Sequence, residues 1–246
     1  MALKDFLRFL DNLLTRLLGG YEQGSDVYVH RIIIPYVINK RVLEIGTGSM
    51  AIQTKFFSSM SEWIPTDIEL RNLKRIGGGV NCDARYLPFK DNSFDVVLCK
   101  EVLEHIEDDM AVIKEIKRLS KIAIITTPCS EFLYSYRYPI KKLLGRFANG
   151  PLAKGISKYS RTMGHVRDGY SHEDFKRITS DSGMEIIRTE YISKNIGALW
   201  WELTHIIKFP LILRPIIRIL SFPIYSIDSR QNSRGVTIIV VLKRTV

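Results

Sequence analysis

Val42-Leu43-Glu44-Ile45-Gly46-Thr47-Gly48-Ser49-Met50, VLEIGTGSM, is the stretch on which the reading of this chain turns. An apolar run that ends in an acid and then in two glycines one residue apart reads as a β-strand feeding a tight turn. Glycine tolerates the backbone angles of such a turn and lets the main chain approach a ligand closely. The helix that follows presents its first N–H groups at the same place. Met50 stands where turns of this kind often carry a third glycine, which serves close helix–strand packing. Its side chain is expected either to displace the next helix or to cover the pocket. Ala51 meets the G-x-G-x-x-A spacing counted from Gly46.

Outward from residue 41, short apolar strands alternate with helical segments: RVLEIG, EWIPTD, VNCDA, FDVVLCK and IAIITTP. Between the fourth and fifth lies EVLEHIEDDMAVIKEIKRLS, in which Val102, Ile106, Met110, Ile113 and Ile116 recur at helical spacing. A helix is expected from Ser171 as N-cap, SHEDFKRITSDSG, followed by the strands MEIIRTEYI and GVTIIVVLKR. Strands alternating with helices imply right-handed parallel crossovers. The expected fold class is therefore α/β: a Rossmann-like, seven-stranded, mostly parallel sheet with helices on both faces. Ligands in such sheets lie at the carboxyl ends of the strands.

Acids occupy three of those ends. Asp67 closes the second strand, 23 residues after Glu44, where a carboxylate can accept ribose hydroxyl protons. Asp83 closes the third, within reach of an adenine amino group. Three carboxylates would repel a pyrophosphate, but they suit an adenosine that carries positive charge. This counts against a nicotinamide dehydrogenase, the rival reading of the glycine pattern. Tyr138 and Lys142 match the Y-x-x-x-K spacing of one dehydrogenase class, but Pro139 would disturb the helix needed to align them.

VLEIGTG, PTD, CDARYLPFKDNSFDVVLCKEVLEHI and GHVRDGYSHEDFKRI, in that order, resemble the class I S-adenosylmethionine-dependent methyltransferases, and among them the broad type 11 group. The resemblance covers residues 40–128 firmly and 164–193 more loosely. It implies S-adenosyl-L-methionine as cofactor, with Glu44, Gly46, Thr47 and Gly48 along its methionine portion. Asp67 and Ile68 would lie at the ribose, Asp83 and Ala84 at the adenine, and Cys99 at the end of the fourth strand. Lys100, Glu101 and His105 follow, where the reactive methyl group points in this family, and are the catalytic candidates. Glu104, His165 and His172 are further candidate bases by chemistry. No metal is expected: the cysteines form no C-x-x-C pair, and His165, Asp168 and His172 lie in a loop entering a helix.

Composition frames the rest. The 246 residues are 46% apolar and 25% charged, enough for a sizeable core, and are expected to form one domain over 1–246. Three cysteines, Cys82, Cys99 and Cys129, suggest a reducing, cytoplasmic location. The net charge of +10 points to anionic partners. Residues 129–170, an insertion after the fifth strand, hold eight Lys/Arg against two acids, interleaved with Phe132, Tyr134, Tyr136, Tyr138, Phe147 and Tyr159. This segment is expected to act as a lid over the acceptor. Residues 1–20 read as an amphipathic helix, and 196–227, in the C-terminal part 171–246, as a proline-cut apolar segment lying on an interface. No stretch reaches the run of roughly 18 uncharged apolar residues needed to span a bilayer. The expected acceptor is a small or lipid-linked molecule, which an anionic membrane surface with the protein bound peripherally would present; a solvated basic face with 196–227 packed as core is the equally open alternative. Nucleic acid is the alternative anionic partner, though no base-targeting motif follows the fourth strand. A domain that binds the cofactor without turnover is the third reading.

Overall fold

The computed structural model describes residues 24–130, 164–192, 216, 219, 220, 235 and 237–245. The N-terminal segment 1–20, most of the 129–170 insertion and nearly all of the apolar segment 196–227 lie outside the described residues. Contacts divide the chain into two compact units, residues 1–34 with 191–237 and residues 35–190 with 238–246. The sequence reading treats 1–246 as one domain. In the first unit, Ile216, Ile219 and Leu220 are helical and about half exposed.

A seven-stranded sheet dominates the second unit. Its strands are β1 (Arg41–Ile45), β2 (Glu62–Asp67), β3 (Val80–Asn81), β4 (Val96–Lys100), β5 (Ile122–Pro128), β6 (Met184–Ile192) and β7 (Thr237–Arg244). They lie in the order β3-β2-β1-β4-β5-β7-β6, and β1–β2, β1–β4, β2–β3 and β4–β5 pair parallel. Each expected strand forms. In β1, β4 and β5 almost every residue is buried, without alternation, as required of strands covered on both faces. The strand order reverses between β1 and β4, so the crevice beyond their carboxyl ends is the natural ligand site.

Five helices are described: α1 (Gly24–Val37), α2 (Ile52–Phe57), α3 (Leu70–Lys74), α4 (Asp109–Leu119) and α5 (His172–Ser182). The start of α5 follows its sequence signals. The Ser171 hydroxyl accepts from the Asp174 N–H, the Asp174 carboxylate accepts from the Ser171 N–H, and a left-handed Gly183 ends the helix.

The segment after β4 departs from expectation. Leu103–His105 is a single 3-10 turn, Ile106 is extended, and α4 begins only after Asp108, whose side chain accepts from the Ala111 N–H. Asp108 captures the helix start even though the apolar spacing of Val102, Ile106 and Met110 runs on through it. The buried face is Val112, Ile113, Ile116 and Leu119.

Candidate functional site

The glycine turn leaves the end of β1 and is clamped against β2. Gly46 and Thr47 N–H groups both donate to the Thr66 carbonyl, at 2.9 and 3.0 Å. The Thr47 hydroxyl donates to the same oxygen, and the Thr66 hydroxyl donates to the Glu44 carbonyl. The two glycines serve different ends. Gly46 has φ +75°, and a Cβ there would lie 2.3 Å from Val102 Cγ2. Gly48 has φ +67° but faces open space, with no atom within 4 Å of such a Cβ. One glycine packs the turn against Val102 beyond β4, and the other leaves the turn open on its far side.

Met50 lies at the start of the turn into α2. It is half exposed, and its carbonyl accepts from Lys55 Nζ. The residue that takes the special backbone is Ala51, left-handed at φ 49° immediately before α2.

Asp67 ends β2, as the sequence predicts, and is only 6% exposed. Its carboxylate accepts from the Gly48 N–H at 2.7 Å, the Glu69 N–H at 2.8 Å and Asn72 Nδ2 at 3.1 Å. A carboxylate has about four acceptor positions, so three are filled and room is left for a hydroxyl donor. Asn81 Nδ2 donates to the Asp67 and Ile68 carbonyls, fixing the strand end. Ile68 beside it is an exposed apolar surface.

Asp83 lies two residues beyond β3, because only Val80 and Asn81 pair with β2. Its carboxylate is held by Arg85, whose hydrogen bonds keep its pKa below the usual range. Ala84 beside it is half-buried.

Glu44 is 2% exposed and turns inward, accepting from Thr54 Oγ1 and Trp63 Nε1, each at 2.5 Å. Burial raises its pKa against the lowering effect of those bonds. Cys99 lies in the core with no exposed surface, and burial drives its thiol pKa far up.

The strand-4 edge gathers the candidate catalytic groups. Lys100 is half-buried at the strand end. Glu101 is left-handed at φ 53°, a strained backbone for a residue with a side chain. Its N–H donates to the Thr126 carbonyl, and its carboxylate accepts from the Thr126 hydroxyl at 2.9 Å. Glu104 is 1% exposed, and burial, reinforced by the neighbouring Glu101, lifts its pKa well above the carboxylate range. His105 packs edge-to-face on His165 with ring centroids 4.6 Å apart. Burial and His105 lower the His165 pKa. His172 is separate from this group and faces Thr189 Oγ1.

Part of the site depends on residues that sequence reasoning passed over. Arg167, counted with the basic insertion, donates to Asp109 Oδ2 at 2.5 Å and to the Ile106 and Glu107 carbonyls. The Tyr170 hydroxyl donates to the same Asp109 oxygen at 2.7 Å. Thr54, Trp63, Asn72 and Thr126 orient the acids. None carries a local signal, since each acts across a fold-dependent distance.

A polar groove of about 550 Å³, lined by Lys40, Arg41, Ser58, Met60, Glu62, Asp95 and their neighbours, lies at the opposite, amino-terminal end of β1 and β2. Its position excludes it from the chemistry at the strand carboxyl ends.

This sheet order, the glycine turn and the buried acid at the end of β2 define a class I S-adenosylmethionine-dependent methyltransferase fold. Residues 43–122, which run from within β1 to the start of β5, match the type 11 family model, described as a methyltransferase domain. An uncharacterized protein of Methanocaldococcus jannaschii is 40% identical over 85 residues, 32% of this chain and 36% of that protein, so the match spans about a third of that relative. The ubiquinone/menaquinone biosynthesis C-methyltransferase UbiE of Desulfotalea psychrophila is 27% identical over 182 residues, 65% of this chain and 72% of that one. Among solved structures, a SAM-dependent methyltransferase from Archaeoglobus fulgidus shares the fold at TM-score 0.57 and 19% identity, covering 94% of this chain and 98% of that one.

Proposed function

We propose that this protein transfers a methyl group from S-adenosyl-L-methionine to carbon or oxygen of a small or lipid-linked acceptor. The observation that carries the proposal is Asp67: a nearly buried carboxylate at the end of β2, hydrogen-bonded to Gly48 of the adjacent turn. That pairing joins a ribose acceptor to a backbone surface that can lie against the rest of the ligand. The residues present fit the cofactor. Gly46, Thr47 and Gly48 would line the methionine portion, with Glu44 buried behind them against Thr54 and Trp63; Asp67 and Ile68 would meet the ribose, and Asp83 and Ala84 the adenine. Cys99 is buried in the core at the end of β4 and would support this surface without touching the cofactor. When bound, S-adenosylmethionine supplies an electrophilic methyl group on a cationic sulfur.

The protein's own task is then positioning and proton removal. Glu101, whose carboxylate accepts from the Thr126 hydroxyl, and His105 would take a proton from the acceptor, with Lys100 beside them at the end of β4. Similarity to a C-methyltransferase of quinone biosynthesis supports a lipid-linked acceptor and carbon as the methylated atom. The basic, aromatic composition of the insertion 129–170 suits it to an anionic acceptor. The apolar segment 196–227 is suited to an anionic membrane surface.

Calorimetry with S-adenosylhomocysteine tests the reading. The protein should bind it in the micromolar range, and Asp67→Ala should weaken binding by about 100-fold, the loss expected of hydrogen bonds to a buried charge. No binding by the unaltered protein refutes the assignment.

A further inference from the structure

Glu104, His105 and His165 each offer a donor atom, and these atoms all lie within 4.8 Å of one another. Two features distinguish this cluster from an incidental one. First, Glu104 is 1% exposed, yet among the described residues neither of its carboxylate oxygens accepts a hydrogen bond from a donor group, and its polar neighbour Glu101 is another acid. Buried carboxylates normally have their oxygens satisfied, and a cation would satisfy these.

Second, His105 is held in the manner of a metal-ligating histidine. Its Nδ1 lies 3.3 Å from the Gly164 carbonyl, a contact that is a hydrogen bond in the tautomer with the proton on Nδ1. Nε2 then presents its lone pair on the side of Glu104, 4.0 Å from Oε1 and too far for a hydrogen bond. His165 completes the set through its ring contact with His105.

We propose that Glu104, His105 and His165 bind a divalent transition-metal ion. Two nitrogens and one carboxylate oxygen on one side of an ion form the donor set that suits zinc, iron, cobalt or manganese rather than calcium. Donors at about 2.0–2.2 Å from a shared ion stand roughly 3–4 Å apart. Rotation of side chains on the 103–105 turn and the 164–168 loop therefore suffices to close the cluster. Three protein donors leave coordination positions open. If the methyltransferase reading holds, an acceptor oxygen bound there would sit beside Glu101 and lose its proton more readily. Metal binding itself does not depend on that reading.

The test is a cobalt(II) titration of the chelator-treated full chain, followed by the visible d–d absorbance. The expected result is one tight equivalent, with binding weakened at least tenfold in Glu104→Gln and in His165→Ala. Far-UV circular dichroism establishes that each variant is folded, and His105→Asn provides a third, surface-exposed change. Absence of a one-to-one complex, or binding by the folded variants within twofold of the unaltered protein, overturns the proposal. Cobalt binding without S-adenosylhomocysteine binding would refute the methyltransferase reading and leave the metal site standing, and the opposite pattern would do the reverse.

Discussion

Replacing Gly46 and Gly48 by alanine should produce two different failures, because the structure surrounds the two positions differently. At Gly46 a side chain meets both a left-handed backbone, φ +75°, and Val102 Cγ2 at 2.3 Å, where ordinary contact begins near 3.5 Å. The backbone term costs about 1–2 kcal/mol, and overpacking adds about 1–3 kcal/mol. For a chain of this size the combined loss lowers Tm by about 10 °C. At Gly48 only the backbone term applies, so Tm should fall by about 5 °C or less. Its added methyl points into the open ligand side, however, and S-adenosylhomocysteine affinity should drop far more than stability. Thermal denaturation and calorimetry on both variants separate the two effects. The decisive measurement is the cycle with Val102→Ala, which removes the clashing methyl. Gly46→Ala and Val102→Ala should couple favourably by about 1–3 kcal/mol, as contacting residues do. Additivity within about 0.5 kcal/mol would refute the packing explanation for Gly46.

Glu44→Gln keeps an oxygen that can accept from Thr54 and Trp63 while removing the charge. Because burial raises the Glu44 pKa, the native state favours its protonated form, and wild-type stability is penalised as pH rises above the ordinary value of 4.5. The variant should therefore match wild type at pH 4 and exceed its Tm by a few degrees at pH 8; equal curves across that range would contradict the assignment. Of the three thiols, Cys99 and Cys129 are buried and Cys82 is partly exposed, so a thiol reagent should modify Cys82 alone in the folded protein. Mass spectrometry before and after denaturation provides the count.

How much of this was legible in the sequence follows from how local each signal is. The seven strands were readable because apolar runs bounded by turn residues need no tertiary context. Ser171 and Gly183 announced α5 by the same local chemistry, and the acid at the end of β2 followed from spacing alone. Apolar periodicity runs through Asp108 and hides the start of α4, which a side-chain cap decides. The strand that VNCDA suggests stops two residues before Asp83. Interactions between distant parts of the chain left no trace. Nothing local to Glu44 indicates that Trp63 will hold it inward. Nothing in EVLEH foretells that His105 will meet His165, or that Thr126 will hold Glu101 in a strained backbone.

Arg167 shows how a residue's meaning changes once the chain is folded. As composition it belongs to a basic insertion; as structure it is largely neutralised by Asp109 and holds two carbonyls of the 106–107 turn. The Val166 and Arg167 N–H groups donate to the Glu104 carbonyl, and Tyr170 bridges to Cys129 at the end of β5. Both ends of the 129–170 insertion are thereby joined to the edge that carries Glu101, Glu104 and His105. The glycine turn, by contrast, is anchored through Thr66 and Asp67. Arg167→Lys isolates this connection, since it keeps the charge but loses the planar fork that reaches three acceptors at once. The expected outcome is unchanged S-adenosylhomocysteine affinity with a Tm lower by about 3–10 °C, from about 1.5–3 kcal/mol of lost charge-assisted bonding. Histidine NMR should show altered ring resonances for His105 and His165, which a general loss of stability would not produce while the protein remains folded. Unshifted histidines would mean that the two ends of the insertion are not coupled to the candidate catalytic edge.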